Sequence, residues 1–330
     1  MVFKSAGLKH ASTLFICLLC MHACTTTHQS RQTRTAADKQ LPRAVELTET
    51  PFHAQTRHHC GPAALATVLQ SQGLDVTTET LSSQLYIPQR KGSLQVEMAV
   101  AARRHGMLPY PLEPSLADLL TEIAAGNPVL VLQNLGFNWW PKWHYAVVIG
   151  YDLDGNELIL RSGTTRRWQT SFTAFENTWK RAGQWALVIV PAGVIPPSAH
   201  MSTYLKSAYA FEETGLYPAA LDAYRAASAQ WPDSSTAWTA LGNMELRAGN
   251  NVEALAALLN ASSLSPRTAM IWNNLAYALH ATGCTEQALQ SLQCAYRLSS
   301  DDSNIRDSEE EIRRMVVKRQ TTACPVISCD

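Results

Sequence analysis

Apolar positions along this chain change period twice. Between residues 62 and 70, Ala64, Leu65, Val68 and Leu69 fall on one helical face, so the spacing predicts a helix there. Two more helices are predicted over residues 94–105 and 115–125, the second stopped by Gly126-Asn127-Pro128. The pattern then shortens to strand runs over 129–133, 144–151, 157–161 and 185–190. Asp154-Gly155 reads as a hairpin turn between the second and third of these. Helices early and an antiparallel sheet late predict an α+β domain. Past residue 200 the spacing is helical again and repeats. Tyr204, Trp238 and Trp272 stand 34 residues apart, as do Ala220, Ala254 and Ala288, and Tyr224, Leu258 and Leu292. Ala227, Ala261 and Ala295 follow the same period, with Gly215, Gly249 and Gly283 at the turn and Pro232 and Pro266 closing the first two units. Helix pairs of this size stack into a continuous core.

The start of the chain reads as an address. Lys4, Lys9 and His10 precede an apolar run over residues 11–21 that ends in Ala23-Cys24, the order of a secretory signal peptide over residues 1–23. The run is too short to span a bilayer. A Cys at the cleavage point resembles the bacterial lipoprotein signal, which implies lipidation of Cys24; Met21-His22-Ala23 matches that pattern in part, and an ordinary secretory cut nearby is the alternative. The resemblance implies an exported protein, anchored in a bacterial membrane and facing the periplasm, with the outer membrane as the expected site. Residues 24–46, rich in Thr, Gln, Arg and Ser, read as a flexible tether.

Composition narrows the function. Lys and Arg number 27 against 27 Asp and Glu, so the basic face of a nucleic-acid binder is not expected. Eight Cys show no CxxC…CxxC zinc spacing, and neither a metal nor another cofactor is expected. In an oxidising compartment Cys324 and Cys329 are placed to close a short tail disulfide. Cys284 and Cys294, about 15 Å apart on one helix, should not pair with each other.

The chemistry concentrates in Gln55-Thr56-Arg57-His58-His59-Cys60-Gly61-Pro62-Ala63-Ala64. Pro62 at the first helical position would put Cys60 at the amino end of a helix, where free N–H groups and the macrodipole favour a thiolate, the nucleophilic form. Gly61 would let a substrate backbone approach. The plain alternative is a buried Cys opening a core helix. His144 opens a strand 84 residues later, behind an aromatic loop (Phe137, Trp139, Trp140, Trp143) suited to walling a cleft for extended peptide. A Cys at a helix start and a His at a strand start in one α+β domain support a nucleophile–base pair. Adjacent His58 and His59 rarely turn toward one ion, so a metal reading is set aside.

These segments, with His144-Tyr145-Ala146-Val147-Val148-Ile149-Gly150-Tyr151 and the closing strand at 185–190, resemble the papain-like cysteine peptidases that cleave double-glycine leaders, more closely their stand-alone branch. The resemblance covers the domain at 47–193. It implies Cys60 as nucleophile, His144 as general base, and Gln55 as side-chain donor to the oxyanion beside the Cys60 amide. The family's third member is an Asp ending the next strand; here Ser162 stands at that place. Asp152 is no substitute, being about 26 Å along the strand from His144 at ~3.3 Å per residue. One of the residues from Ser162 to Thr165 is therefore expected to orient the imidazole. A Pro-rich linker at 194–200 follows. Residues 201–300 resemble three tetratricopeptide repeats, and 301–330 read as a capping helix, expected over 301–319, and a Cys-containing tail. The expected whole is an exported thiol peptidase acting on a protein or peptide, with a protein partner held by the repeats and the membrane reached through the lipid anchor. The alternative is a catalytically weak peptidase-like binding module or assembly adaptor, motivated by Ser162.

Overall fold

A computed structural model of the chain describes residues 41–55, 59–315 and 323–329. The leader at 1–23, the tether as far as residue 40 with Cys24, and His58 lie outside these residues.

Helix α1, Cys60–Ser71, begins two residues earlier than the pattern predicts, with His59 as N-cap. Pro62 is thus its third residue, still in the first turn, where a missing N–H costs nothing. Helix α2, Thr78–Leu85, is capped by the Thr77 side chain and buries only Leu81 and Leu85, too few to show a period in sequence. Helix α3, Gln95–Arg104, leads into strand β2, Met107–Pro111, and helix α4, Leu116–Ala124, is capped by Ser115. Strands β3 (Val129–Asn134), β4 (Trp143–Asp152), β5 (Glu157–Ser162) and β6 (Thr165–Ser171) follow, then helix α5 (Phe172–Lys180) and strand β7 (Ala186–Pro191).

Among the described residues these strands form one antiparallel sheet in the order β2-β7-β3-β4-β5-β6. Neither edge was predicted. Strand β2 carries Pro109 and Pro111, which a central strand would not tolerate but an edge does. Strand β6 is mostly exposed and polar, so no apolar alternation marks it. A further short strand, β1 (Ala44–Glu46), pairs with Asp152–Gly150 of β4. The last residues of the expected tether are therefore part of the sheet: β3 begins only opposite Val148, and β1 takes up the open ladder beyond it.

The pleat sends Tyr145, Val147 and Ile149 to one face, against α1, and Ala146 and Val148 to the other, with α4 and α5. That second core runs on from Leu108 and Tyr110 of β2 into the helical region. There α6 (Met201–Glu213), α7 (Tyr217–Gln230), α8 (Ser235–Ala248), α9 (Asn251–Leu264), α10 (Ala269–Ala281) and α11 (Thr285–Leu298) form three antiparallel pairs. Gly215, Gly249 and Gly283 all hold φ between 75° and 89° at the turn within each pair, which explains their 34-residue recurrence. Helix α12, Ser303–Arg314, lays Ile305 and Ile312 on the last pair. Residues 316–319 of the expected capping helix lie outside the described residues.

The linker at 194–200 does not hang free. Glu122, fully buried on α4, accepts from the Ser198 N–H at 2.8 Å and the Ser198 hydroxyl at 2.5 Å. The Tyr204 hydroxyl donates to the Ala192 carbonyl at 2.8 Å. Tail chemistry also departs from expectation. Cys324 and Cys329 do not pair with each other; the disulfides are Cys284–Cys324 and Cys294–Cys329. Ten helical residues cover about 15 Å, and five extended ones about 16 Å, so the tail lies along α11 and meets it at both ends. No helix among the described residues is long and apolar enough to cross a membrane.

Candidate active site

Cys60, half-buried with a free thiol, is the first residue of α1. Because α1 packs on the face of Tyr145, Val147 and Ile149, its start arrives at the entry of β4. The backbone amides of Tyr145, Gly61 and Cys60 itself favour the thiolate. Burial nevertheless pushes the thiol up, and the amides only moderate that rise. Burial thus works against the thiolate expected from the helix end. A partial positive charge at a helix terminus is outweighed by the cost of a buried anion.

His144 follows Trp143 at the start of β4 and is half-buried. Val148 pairs with Leu160, and Ser162 stands two residues on along the same face of β5. Ser162 is therefore diagonal to His144, within reach across the ladder. Its hydroxyl lies 2.9 Å from Nε2 of the imidazole. Asp152 is at the opposite end of β4, paired with Glu157 and Ala44. Burial, aided by the Lys142 ammonium, holds the His144 pKa below its usual range.

Gln55 is laced to the same corner. Its backbone N–H donates to the Gly163 carbonyl at 2.9 Å, and its Oε1 accepts from the Gly163 amide at 3.1 Å. Its Nε2 donates to the Tyr145 carbonyl at 3.2 Å. A side-chain amide carries two N–H donors, so one remains beyond that bond. The structure brings Cys60, the His144–Tyr145 pair, Ser162 and Gln55 to one corner of the sheet. Cys24 lies outside the described residues.

Several supports carried no signal in the sequence. Arg161 is 5% exposed, and its guanidinium donates to the carbonyls of Thr48 (3.1 Å), Thr50 (2.8 and 3.2 Å) and Arg166 (2.6 Å). It ties the segment leading to Gln55 onto β5, one residue before Ser162. A strand Arg reads as solvated until the crossing chain is known. Gly61 is buried rather than open to substrate: a Cβ there would lie 2.7 Å from Ser93 Oγ. The Tyr145 hydroxyl donates to the Ser93 carbonyl at 3.3 Å. His59 stacks on Tyr86, ring centroids 4.8 Å apart, and its Nδ1 lies 3.1 Å from the Ser82 hydroxyl.

Comparison with known proteins adds the following. The model of the Peptidase_C39 like family matches residues 47–187, and the tetratricopeptide-repeat model matches residues 205–262 and 253–303. The chain carries a Peptidase_C39-like domain followed by tetratricopeptide repeats. No curated protein matches it. Among solved structures, a Bacillus anthracis chain described as a C39-like peptidase is 18% identical. That likeness covers 45% of this chain and 98% of the other, with a TM-score of 0.37. The second tetratricopeptide domain of human RPAP3, solved with an HSP70 peptide, is 15% identical over 34% of this chain and 93% of its own, TM-score 0.33. The Yersinia enterocolitica translocator chaperone SycD is 16% identical over 34% and 91%, TM-score 0.32.

Proposed function

We propose that this chain is an exported thiol peptidase that activates a neutral Cys60 by general-base catalysis. The observation that carries the reading is the His144–Ser162 hydrogen bond, at the corner of the sheet where Cys60 opens α1. With its proton on Nε2, shared with Ser162, the ring keeps a lone pair on Nδ1. That nitrogen takes the thiol proton as Sγ bonds to the scissile carbonyl carbon, and the carbonyl electron pair moves onto oxygen. The second Gln55 N–H and the Cys60 amide stabilise the oxyanion. When the tetrahedral species collapses, Nδ1–H delivers its proton to the leaving amine. Water, with His144 again as base, then hydrolyses the thioester and restores the thiol.

Export is supported by the leader-like start and by the two disulfides, which persist in oxidising compartments. We place the protein at a bacterial membrane through lipidated Cys24, facing the periplasm, with the outer membrane as its site. The repeats hold a protein partner or the substrate itself, the usual role of such solenoids.

The second reading, a peptidase-like binding module or adaptor with little turnover, is favoured by Ser162. A hydroxyl orients an imidazole but stabilises an imidazolium less than a carboxylate does. One experiment separates the two. The mature protein and Cys60→Ala are incubated with a mixed peptide library and the products sequenced. Cleavage that disappears in Cys60→Ala supports the peptidase; no cleavage by the mature protein leaves the binding module.

A further inference from the structure

The hairpin joining β3 to β4 ends in a built tip of exposed aromatic rings. Phe137 is 65% exposed, Trp139 79%, Trp140 72% and Trp143 55%. The rings ride on a fixed backbone. Phe137 and Trp140 exchange both main-chain hydrogen bonds, at 3.1 and 3.2 Å, and Leu135 N–H donates to the Lys142 carbonyl at 2.9 Å. Below them Asn134, 1% exposed, accepts through Oδ1 from the amides of Gly136 and Lys142, both at 2.9 Å. A Cβ on Gly136 would collide with the Trp140 carbonyl oxygen, so the tight turn requires glycine at that place. Phe137 and Trp139 stack at 5.6 Å, and Trp139 meets Trp140 edge to face at 6.3 Å. Rings held out in water on a preordered turn bind without the usual ordering cost, and aromatic anchors of this kind dominate recognition.

We propose that this tip binds an apolar, aromatic-rich polypeptide segment, poor in Lys and Arg, on the leaving-group side of the bond cut at Cys60. The proposal rests on the peptidase reading and names the substrate class of that site. Its direction comes from the chemistry. His144 must hand its proton to the departing amine, so the chain beyond the scissile bond passes over what His144 stands beside. Trp143 is its neighbour on β4, and the tip is the same hairpin. Charge agrees. The Lys142 ammonium is close enough to act on His144, and the Arg181 guanidinium donates to the Asn134 carbonyl at 3.0 and 3.2 Å. Cationic residues are repelled from such ground and neutral or acidic ones accepted.

The test uses the mature protein, Trp139→Ala/Trp140→Ala, and Cys60→Ala with and without that pair. Both Trp side chains are exposed, so the substitutions spare the core. In the library digest the wild type is expected to favour apolar residues just after the cut. The double variant is expected to lose roughly tenfold in kcat/KM on those peptides, with preferences before the cut and the rate of Cys60 alkylation by iodoacetamide unchanged. In parallel, fluorescence anisotropy measures a labelled apolar, Lys-free peptide on Cys60→Ala, where the pair is expected to weaken binding similarly. An unchanged leaving-side preference overturns the proposal. So does tip-dependent binding to anionic phospholipid vesicles with no change toward peptide. If the wild type cleaves nothing, the peptidase reading falls alone provided binding to Cys60→Ala depends on the tip; binding that is absent or independent of the tip overturns this proposal as well.

Discussion

Replacing Ser162 by Asp should raise the His144 pKa and, in the nucleophile–base pair proposed above, favour the Cys60 thiolate. The hydroxyl lies 2.9 Å from His144 Nε2, so a carboxylate at that position would sit about 4 Å from the centre of the ring charge. At an effective dielectric near 20, two unit charges at that distance attract by about 4 kcal/mol. At about 1.4 kcal/mol per unit, this amounts to about three pKa units. Ser162 is only half-buried, and the new carboxylate gives up some hydration, so one to two units is the working figure. His144 should then titrate above its usual range instead of below it. The imidazolium in turn favours the Cys60 thiolate. Two assays follow the change: NMR titration of the imidazole, and the iodoacetamide alkylation rate of Cys60 from pH 5 to 10. In the wild type, alkylation should track one ionisation raised by burial, without a plateau at low pH. In Ser162→Asp the rate at pH 6.5 should rise at least about tenfold, as a shift of one unit implies. A variant whose His144 pKa rises while its alkylation profile overlays the wild type would refute the coupling of sulfur and ring.

Other expectations concern stability and pairing. Peptide mapping without reductant should recover Cys284 joined to Cys324 and Cys294 to Cys329; a tail peptide bridged between Cys324 and Cys329 would contradict the fold of the tail. The bridges span 40 and 35 residues, for which loop entropy predicts about 4 kcal/mol each, less where the two overlap, read as a lower urea midpoint after reduction. Glu122→Ala would strand the Ser198 amide and hydroxyl and the Asn127 side-chain amide, its donor at 2.7 Å. About 2–4 kcal/mol should be lost in urea denaturation, and a loss under about 0.5 kcal/mol would remove Glu122 as a clamp between the domains. Burial holds His144 and His280 below their usual range, His144 with help from Lys142. As pH falls below about 6.5, the unfolded chain binds protons that the folded one refuses. Stability present above that pH is then lost toward the folded-state values; a flat stability between pH 7 and 5 would contradict this.

How much was legible depends on the range of the interaction. The period at Ala64, Leu65, Val68 and Leu69 identified α1 because a helix repeats its core face every turn, and Ser115 and Gly126 marked the limits of α4 through caps and turns. Strand β2 escaped because Pro109 and Pro111 argue against a strand unless it is known to be an edge. The start of α1 was misplaced because Pro62 suits any position of the first turn.

The amino-acid sequence by itself determined the local elements, the 34-residue repeat and which residue types carry the chemistry, since each depends on neighbours a few residues away. Only the tertiary structure decided which hydroxyl reaches His144, that Arg161 ties the Gln55 segment to β5, which cysteines join, and that burial opposes the Cys60 thiolate. Those outcomes depend on burial and on chain segments up to 113 residues apart in sequence, where local propensity has nothing to say and desolvation decides the charge.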